Sequence, residues 1–441
     1  MTQTPVTPNL PALPPGPSEP HSLDCDEATF DLLPRLVAAY GDVVRVEAPN
    51  LKRPAWLLTN PDHIRRVLVN NHRNYVKGVG FERVEMLLGN GIIVSDGAFW
   101  RRQRTMIQPG FSRSFMPRYF EMIREVTARL VERWTALAAR GEPLDITHAT
   151  GEYALEVILR AIFSDDLEFF VDQEGINPFV FLTEDPSRNL MVAMKFRQLL
   201  KQVQVLIDRR RETGERPFDL LSHMMDATAS RSGEHMTDRE LIDEVATMII
   251  AGHETSAGTL NWAWYLLARD ETSAARVREE VDRVCPRGDL RYEQLDELVF
   301  TRQVLEETLR LYPPVWLFTR RAVAEDDIGG FTIEPGDNVF LSPWVTQRLE
   351  RYWPEPDAFR PDRFAPERVE ERVDNAFFPF SSGPRRCIGE FFSFVEMRTH
   401  LAMLAPRFRL RHDDSRPVEL EPAINLRTRN NLTMTIEILK P

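Results

Sequence analysis

Apolar residues recur every three or four positions through most of the chain after Pro20, the spacing of helices that bury one face. The pattern predicts helices over residues 62–71, 99–106, 122–137, 152–163, 189–211, 279–285 and 299–311, and a last one over about 389–405. The longest starts at Thr237-Asp-Arg-Glu240, a capping box, and runs to about Ala268. Pro313-Pro314 stops the helix over 299–311. The period then changes to two. Alternation over 331–341 about Pro335-Gly336 predicts a β-hairpin, 55–58 reads as a strand, and 408–439 reads as short strands. Residues 353–379 are proline-rich and irregular. No repeat and no Gly/Ser linker divides the chain. The expected architecture is mainly α with a minor β portion. A single large domain, residues 31–441, follows a proline-rich N-terminal arm, residues 1–30.

Composition narrows the function classes. Of 441 residues, 43% are hydrophobic and 28% charged, enough for a substantial core in a globular protein. A formal net charge of −12 argues against bulk binding to nucleic acid or an anionic membrane. Residues 1–20 lack the basic and apolar blocks of a signal peptide. Gly252, His253, Glu254 and Asn261 interrupt the most apolar helix, so no membrane anchor is expected. Cys25, Cys285 and Cys387 are odd in number and far apart, against a disulfide framework. Free thiols fit a reducing, cytoplasmic setting.

Cys387 lies in Phe377-Phe-Pro-Phe380-Ser-Ser-Gly383-Pro-Arg385-Arg386-Cys387-Ile-Gly389-Glu390, a turning loop that leads into a helix. Peptide N–H groups and the helix N-terminus favour a thiolate there. Gly383 and Gly389 permit tight turns beside a flat ligand, Phe380 can shield the sulfur, and Arg385 supplies a cation. A thiolate so held is a nucleophile or a metal ligand. From this chain's own composition the spacing Phe-x-x-Gly-x-x-x-Cys-x-Gly arises by chance roughly 4 times in 10,000.

Two further patterns carry chemistry. Ala251-Gly-His-Glu-Thr-Ser256 places a glycine and an acid inside an apolar helix, a local conflict typical of functional sites. A zinc-peptidase reading fails because Ala257 stands where the second histidine belongs. Glu307-Thr-Leu-Arg310 puts an acid and a base on one helix face, as do Glu121/Arg124 and Glu280/Arg283. What sets Glu307 and Arg310 apart is the Leu311-Tyr-Pro-Pro314 that follows, and later Phe359-Arg-Pro-Asp-Arg363-Phe364.

With these motifs in order, the chain resembles the cytochrome P450 family, the haem-thiolate monooxygenases. The resemblance implies that haem b is the cofactor, that Cys387 is its axial iron ligand, and that Glu307, Arg310 and Arg363 form a buried structural network. It implies that Trp100, Arg104, Arg320 and Arg385 bind the haem propionates, and that Phe380 belongs to the haem loop. It also implies that Glu254 and Thr255 are the acid–alcohol pair above the haem, with Gly252 opening the helix for dioxygen. Splitting the O–O bond needs two protons; an alcohol can hold the accepting oxygen while an acid relays from solvent.

The expected reaction is insertion of one oxygen atom into a hydrophobic small molecule, a terpenoid or a fatty acyl compound. The alternatives are a haem-thiolate isomerase or peroxygenase, and a non-catalytic haem protein. Gly78-Val-Gly80 and Gly89-Asn-Gly91 lack the third glycine of a dinucleotide fingerprint, so electrons are expected from a ferredoxin or flavodoxin with its reductase. Arg101, Arg102, Arg113, Arg385 and Arg386 are the expected docking patch. Substrate contacts are expected from residues 76–97, 177–196, 315–318 and 423–426, including Phe81, Met86, Leu87, Ile92, Phe179, Phe181, Met191, Met194, Trp316 and Phe318. A monomer is expected.

Overall fold

Helix boundaries in the computed structural model follow local side-chain chemistry. It describes residues 13–171, 177–184, 190–229, 233–286 and 288–439. The helices are α1 (Glu27–Tyr40), α2 (Pro61–Arg65), α3 (Phe81–Leu88), α4 (Gly97–Ile107), α5 (Met116–Arg140), α6 (Ile146–Phe163) and α7 (Phe181–Glu184). There follow α8 (Leu190–Thr213), α9 (Leu220–Asp226), α10 (Asp238–Arg269), α11 (Glu271–Val284), α12 (Val299–Leu311), α13 (Pro343–Thr346) and α14 (Glu390–Leu404). Asp26, Asp145, Asp219 and Asp270 each cap a helix by accepting the N–H three residues on. Thr237 and Glu240 form the reciprocal capping box of α10. Glu280 accepts from the N–H groups of Phe300 and Thr301 and so caps α12 from a neighbouring helix.

The strands are β1 (Val43–Val46), β2 (Ala55–Leu58), β3 (Tyr75–Lys77), β4 (Leu144–Asp145), β5 (Phe318–Ala322), β6 (Asp326–Ile328), β7 (Phe331–Ile333), β8 (Asn338–Leu341), β9 (Phe408–His412), β10 (Leu420–Pro422), β11 (Leu426–Thr428) and β12 (Thr433–Ile438). They form a five-stranded sheet β1-β2-β8-β5-β3, a three-stranded sheet β4-β12-β9, and two hairpins. The mainly helical architecture with a minor β portion is as expected.

The single hairpin expected over 331–341 is not formed. The turn at Pro335-Gly336 is present, with Gly336 at φ 91° and the Asp337 N–H on the Glu334 carbonyl (3.0 Å). Its two arms go to different sheets: β7 pairs with β6, and β8 lies between β2 and β5. All four residues of β8 are buried, so it needs a central position rather than a three-residue partner.

The largest core is built mainly from α5, α6, α10, α12 and α14. A second cluster joins α1 and the five-stranded sheet through Phe30, Trp316 and Phe340. Residues 1–12 of the proline-rich arm lie outside the described residues. Farther along, Pro15 O accepts from Arg45 N–H (3.0 Å), Glu47 O accepts from His21 N–H (2.9 Å), and Leu23 is buried.

Glu307, Arg310 and Arg363 do form one buried network. Glu307 makes two bonds to Arg310 (2.7 and 2.8 Å) and one to Arg363 (3.3 Å). Arg310 also donates to the carbonyls of Gln347, Pro356 and Ala358, so it organises the irregular chain before the cysteine loop. Glu121 and Arg124, with the same spacing, form an exposed pair (2.8 Å). Among the described residues, no helix is long and apolar enough to cross a membrane.

Candidate functional site

The cysteine loop is pressed against the helical turn at 66–70. Gly383 has φ 69°, and a Cβ there would sit 2.2 Å from the Leu68 carbonyl oxygen, so only glycine fits. Gly389 carries no such demand: its φ is −89° and the nearest atom to a Cβ is 3.9 Å away. The Cys387 N–H donates to Phe380 O (2.9 Å), which closes the loop, and the Phe380 ring packs 5.7 Å from Phe394.

Cys387 is open to solvent on one side and enclosed by protein on the others. Burial pushes the thiol above its ordinary range. The N–H groups of Gly389 and Glu390 and the Arg104 guanidinium pull the other way. Arg104 itself donates to the Arg386 carbonyl (3.0 Å) and Gln108 (3.1 Å).

Helix α10 carries Glu254 and Thr255, the expected acid–alcohol pair. Thr255 Oγ1 donates back to the Ala251 carbonyl (2.8 Å), and Thr259 Oγ1 to the Thr255 carbonyl (2.8 Å), bonds that loosen a helix locally. Glu254 accepts from the Asn425 side-chain amide at the β10–β11 turn. Ser256 Oγ donates to Glu396 on α14 (2.7 Å). A Cβ at Gly252 would lie 2.8 Å from the Ile158 side chain, so the glycine lets α6 approach α10 closely.

A third group gathers cations, one buried (Arg320) and two half-buried (Lys77 and Arg385). Lys77 on β3 is the register partner of Arg320 on β5, and Arg385 stands over the Trp100 ring at 4.3 Å. Burial and neighbouring arginines push Lys77 well below its ordinary value. Burial, with Arg385 adding to it, takes Arg320 down to about 10. The charge common to all three is Asp96, which bonds Arg385 and accepts from the Lys77 N–H (3.0 Å). Three cations sharing one carboxylate leave buried positive charge poorly compensated. Two further carboxylates would satisfy them, the demand that haem propionates meet.

Trp100, Arg320 and Arg385 come together, whereas Arg104 sits beside the sulfur. Lys77 was not legible in the sequence; only its pairing with Arg320 points to it.

The family model for cytochrome P450 matches residues 21–180 and 176–434. The chain belongs to the cytochrome P450 family.

Among its relatives, cyclooctatin synthase of Streptomyces melanosporofaciens is 34% identical over 409 residues, covering 88% of this chain and 87% of the relative. Pentalenene oxygenase of Streptomyces avermitilis is 31% identical over 402 residues, 87% and 88%. A crystal structure of a cytochrome P450 (CYP102L1) superposes with a TM-score of 0.84 at 24% identity, covering 97% and 99%. This P450 is therefore an oxidoreductase of the monooxygenase class whose cofactor is haem b, and the thiol loop and cation cluster fit that group.

On the cysteine side of this P450 lies a concave surface of about 720 Å³, lined by Cys387, Phe391, Arg104, Arg113, Arg302 and Arg398. Three of the five arginines expected to form a docking patch are engaged: Arg102 with Glu240 (2.7 Å), Arg385 with Asp96 and Arg386 with Glu390. Arg101 and Arg113 are exposed.

The expected substrate residues divide. Phe179 and Trp316 are fully buried core: Phe179 packs on Phe163 and Phe170, and Trp316 on Phe30. Met86 and Met194 are exposed where α3 meets α8, joined by an Arg197 bond to the Met86 carbonyl (2.5 Å). The Met191 side chain lies outside the described residues.

Proposed function

We propose that this P450 inserts one atom of dioxygen into a C–H or C=C bond of a terpenoid, with Cys387 as the residue that would hold the haem iron. The observation that carries the reading is the joint presence of the closed loop at Cys387, with the N–H groups of Gly389 and Glu390 toward its sulfur, and a buried to half-buried cluster of Lys77, Arg320 and Arg385 that shares one carboxylate, Asp96. Terpenoid chemistry is supported by the relatives' names, which include cyclooctat-9-en-7-ol 5-monooxygenase, 30% identical over 389 residues (85% of this chain, 83% of the relative).

Bound haem b supplies the redox-active iron at which dioxygen is split, and thiolate electron donation favours that cleavage. The chain's own groups do the rest. Lys77, Arg320 and Arg385 would hold the propionates as charge-assisted partners. Phe380, whose carbonyl accepts the Cys387 N–H, would fix the loop that carries the sulfur. With haem bound, the Thr255 hydroxyl, now on the Ala251 carbonyl, would be free to turn toward substrate oxygen, and Glu254 would pass protons inward.

Electrons come from a ferredoxin or flavodoxin with its reductase, docking on the concave face through Arg113, with the exposed Arg101 on α4 adding positive charge. The protein acts as a cytoplasmic monomer in secondary metabolism, a setting in which its three free cysteines persist.

The test is turnover of a terpenoid hydrocarbon panel with NADPH, a ferredoxin and its reductase under labelled dioxygen. One labelled atom in the product supports the reading. Product formed without NADPH, or carrying no label, contradicts it.

A further inference from the structure

The β10–β11 turn is tied down on one side and reaches the acid on α10 on the other. The Trp316 indole N–H donates to Ala423 O (2.8 Å), and the Leu426 N–H donates to Pro314 O (2.8 Å). Trp316 is itself immobilised: its ring is 1% exposed and packs edge-on against Phe30 (5.2 Å), and its carbonyl accepts from Ser342 Oγ (2.8 Å). The tip is therefore a rigid extension of the chain leaving α12. From it the Asn425 amide donates to Glu254 Oε2 across 171 positions of sequence. Next along the helix stands Thr255.

A glutamate on a helix has three rotatable bonds, and a proton relay works only from orientations that reach both solvent and the acceptor. A neutral amide N–H is suited to fixing such a group. It holds the carboxylate oxygen in one place without neutralising the charge, as a lysine or arginine would. The tip also carries Ile424, which is 54% exposed, so its outer surface is available for apolar contact.

We infer that Asn425 is a positioning residue that orients Glu254 for proton delivery, so that the 423–426 turn governs how fully oxygen activation is coupled to product. The inference rests on the reading of Glu254 as a proton relay.

The experiment compares N425A, N425Q, E254Q and the double variant N425A/E254Q as haem-loaded full chains. Four quantities are read: product per NADPH, peroxide released, substrate Kd from the haem-band shift, and melting temperature. N425A is expected to lower product per NADPH about three-fold and raise peroxide, with Kd and melting temperature little changed. N425Q recovers part of the coupling. N425A adds nothing in the E254Q background, because the group it positions has gone.

Coupling lost in E254Q but kept in N425A overturns the positioning role and leaves the relay standing. Coupling kept in E254Q removes the relay reading itself. An N425A effect that persists in the E254Q background, or a weakened Kd, means that Asn425 acts on substrate, which also overturns the proposal.

Discussion

Ser256 Oγ on α10 lies 2.7 Å from Glu396 Oε2 on α14, so the residue after the acid–alcohol pair is bonded to the helix that starts at the cysteine loop. Two elements on which the site depends are joined by one buried hydrogen bond. The other oxygen of Glu396 has no protein partner among the described residues.

Burial pushes the Glu396 carboxyl up to about 8, and it does the same to Glu244, whose Oε2 accepts the Ile92 N–H (3.0 Å). Both groups hold a proton in the folded state that the unfolded chain releases in the ordinary carboxylate range. Their contribution to stability is complete below the unfolded value and is lost as pH rises through about 8. Melting temperature should therefore fall by several degrees from about pH 5 to about pH 8, and E396Q and E244Q should each flatten the decline. A slope unchanged in the double variant E244Q/E396Q contradicts this account.

The Glu307–Arg310 pair has both side chains fully buried, so removing one partner strands the other charge. R310M should cost about 3–5 kcal/mol in denaturant unfolding. R363M should cost less, because Arg363 makes a single longer contact to Glu307 (3.3 Å). Equal losses for the two variants would show that the network does not centre on Arg310.

The cation cluster gives opposite signs with and without cofactor. R320M relieves repulsion from Arg385 and should leave the apoprotein as stable as the parent or more so. The same change removes a proposed propionate partner, so haem transfer to a scavenger protein should speed up by about ten-fold. K77M should behave alike. A destabilised apoprotein with unaltered haem release would assign both residues to the fold alone.

T255A should release peroxide in place of product, with product per NADPH falling about ten-fold, and T255S should restore much of the coupling. The contrast depends on the hydroxyl, which already turns to the Ala251 carbonyl and must turn away to act. Equal coupling in T255A and the parent removes Thr255 from the proton path.

Much of this site could be read from sequence because its chemistry is local. The Cys387 loop, the capping box at Thr237 and the Glu307/Arg310 spacing each lie within one turn or one loop, where side-chain type and spacing carry the signal. What could not be read depends on pairing between distant segments. Lys77 is one of three residues in a short strand and gains meaning only as the register partner of Arg320. Asn425 meets Glu254 across 171 positions of sequence. Alternation over 331–341 gave the strands but not their partners, because the burial that sends β8 to the sheet centre is a property of β2 and β5. Gly252 and Gly389 look alike in sequence to Gly383, yet only Gly383 has both a left-handed φ and backbone against its Cβ position.

The central claim is a bond from the Cys387 sulfur to haem iron, and the most direct measurement is the carbon monoxide difference spectrum of the reduced protein. The parent should show the red-shifted band of thiolate ligation, and C387A should lose it while C25A and C285A keep it. A red-shifted band that survives in C387A, or is lost in C25A or C285A, would contradict the assignment.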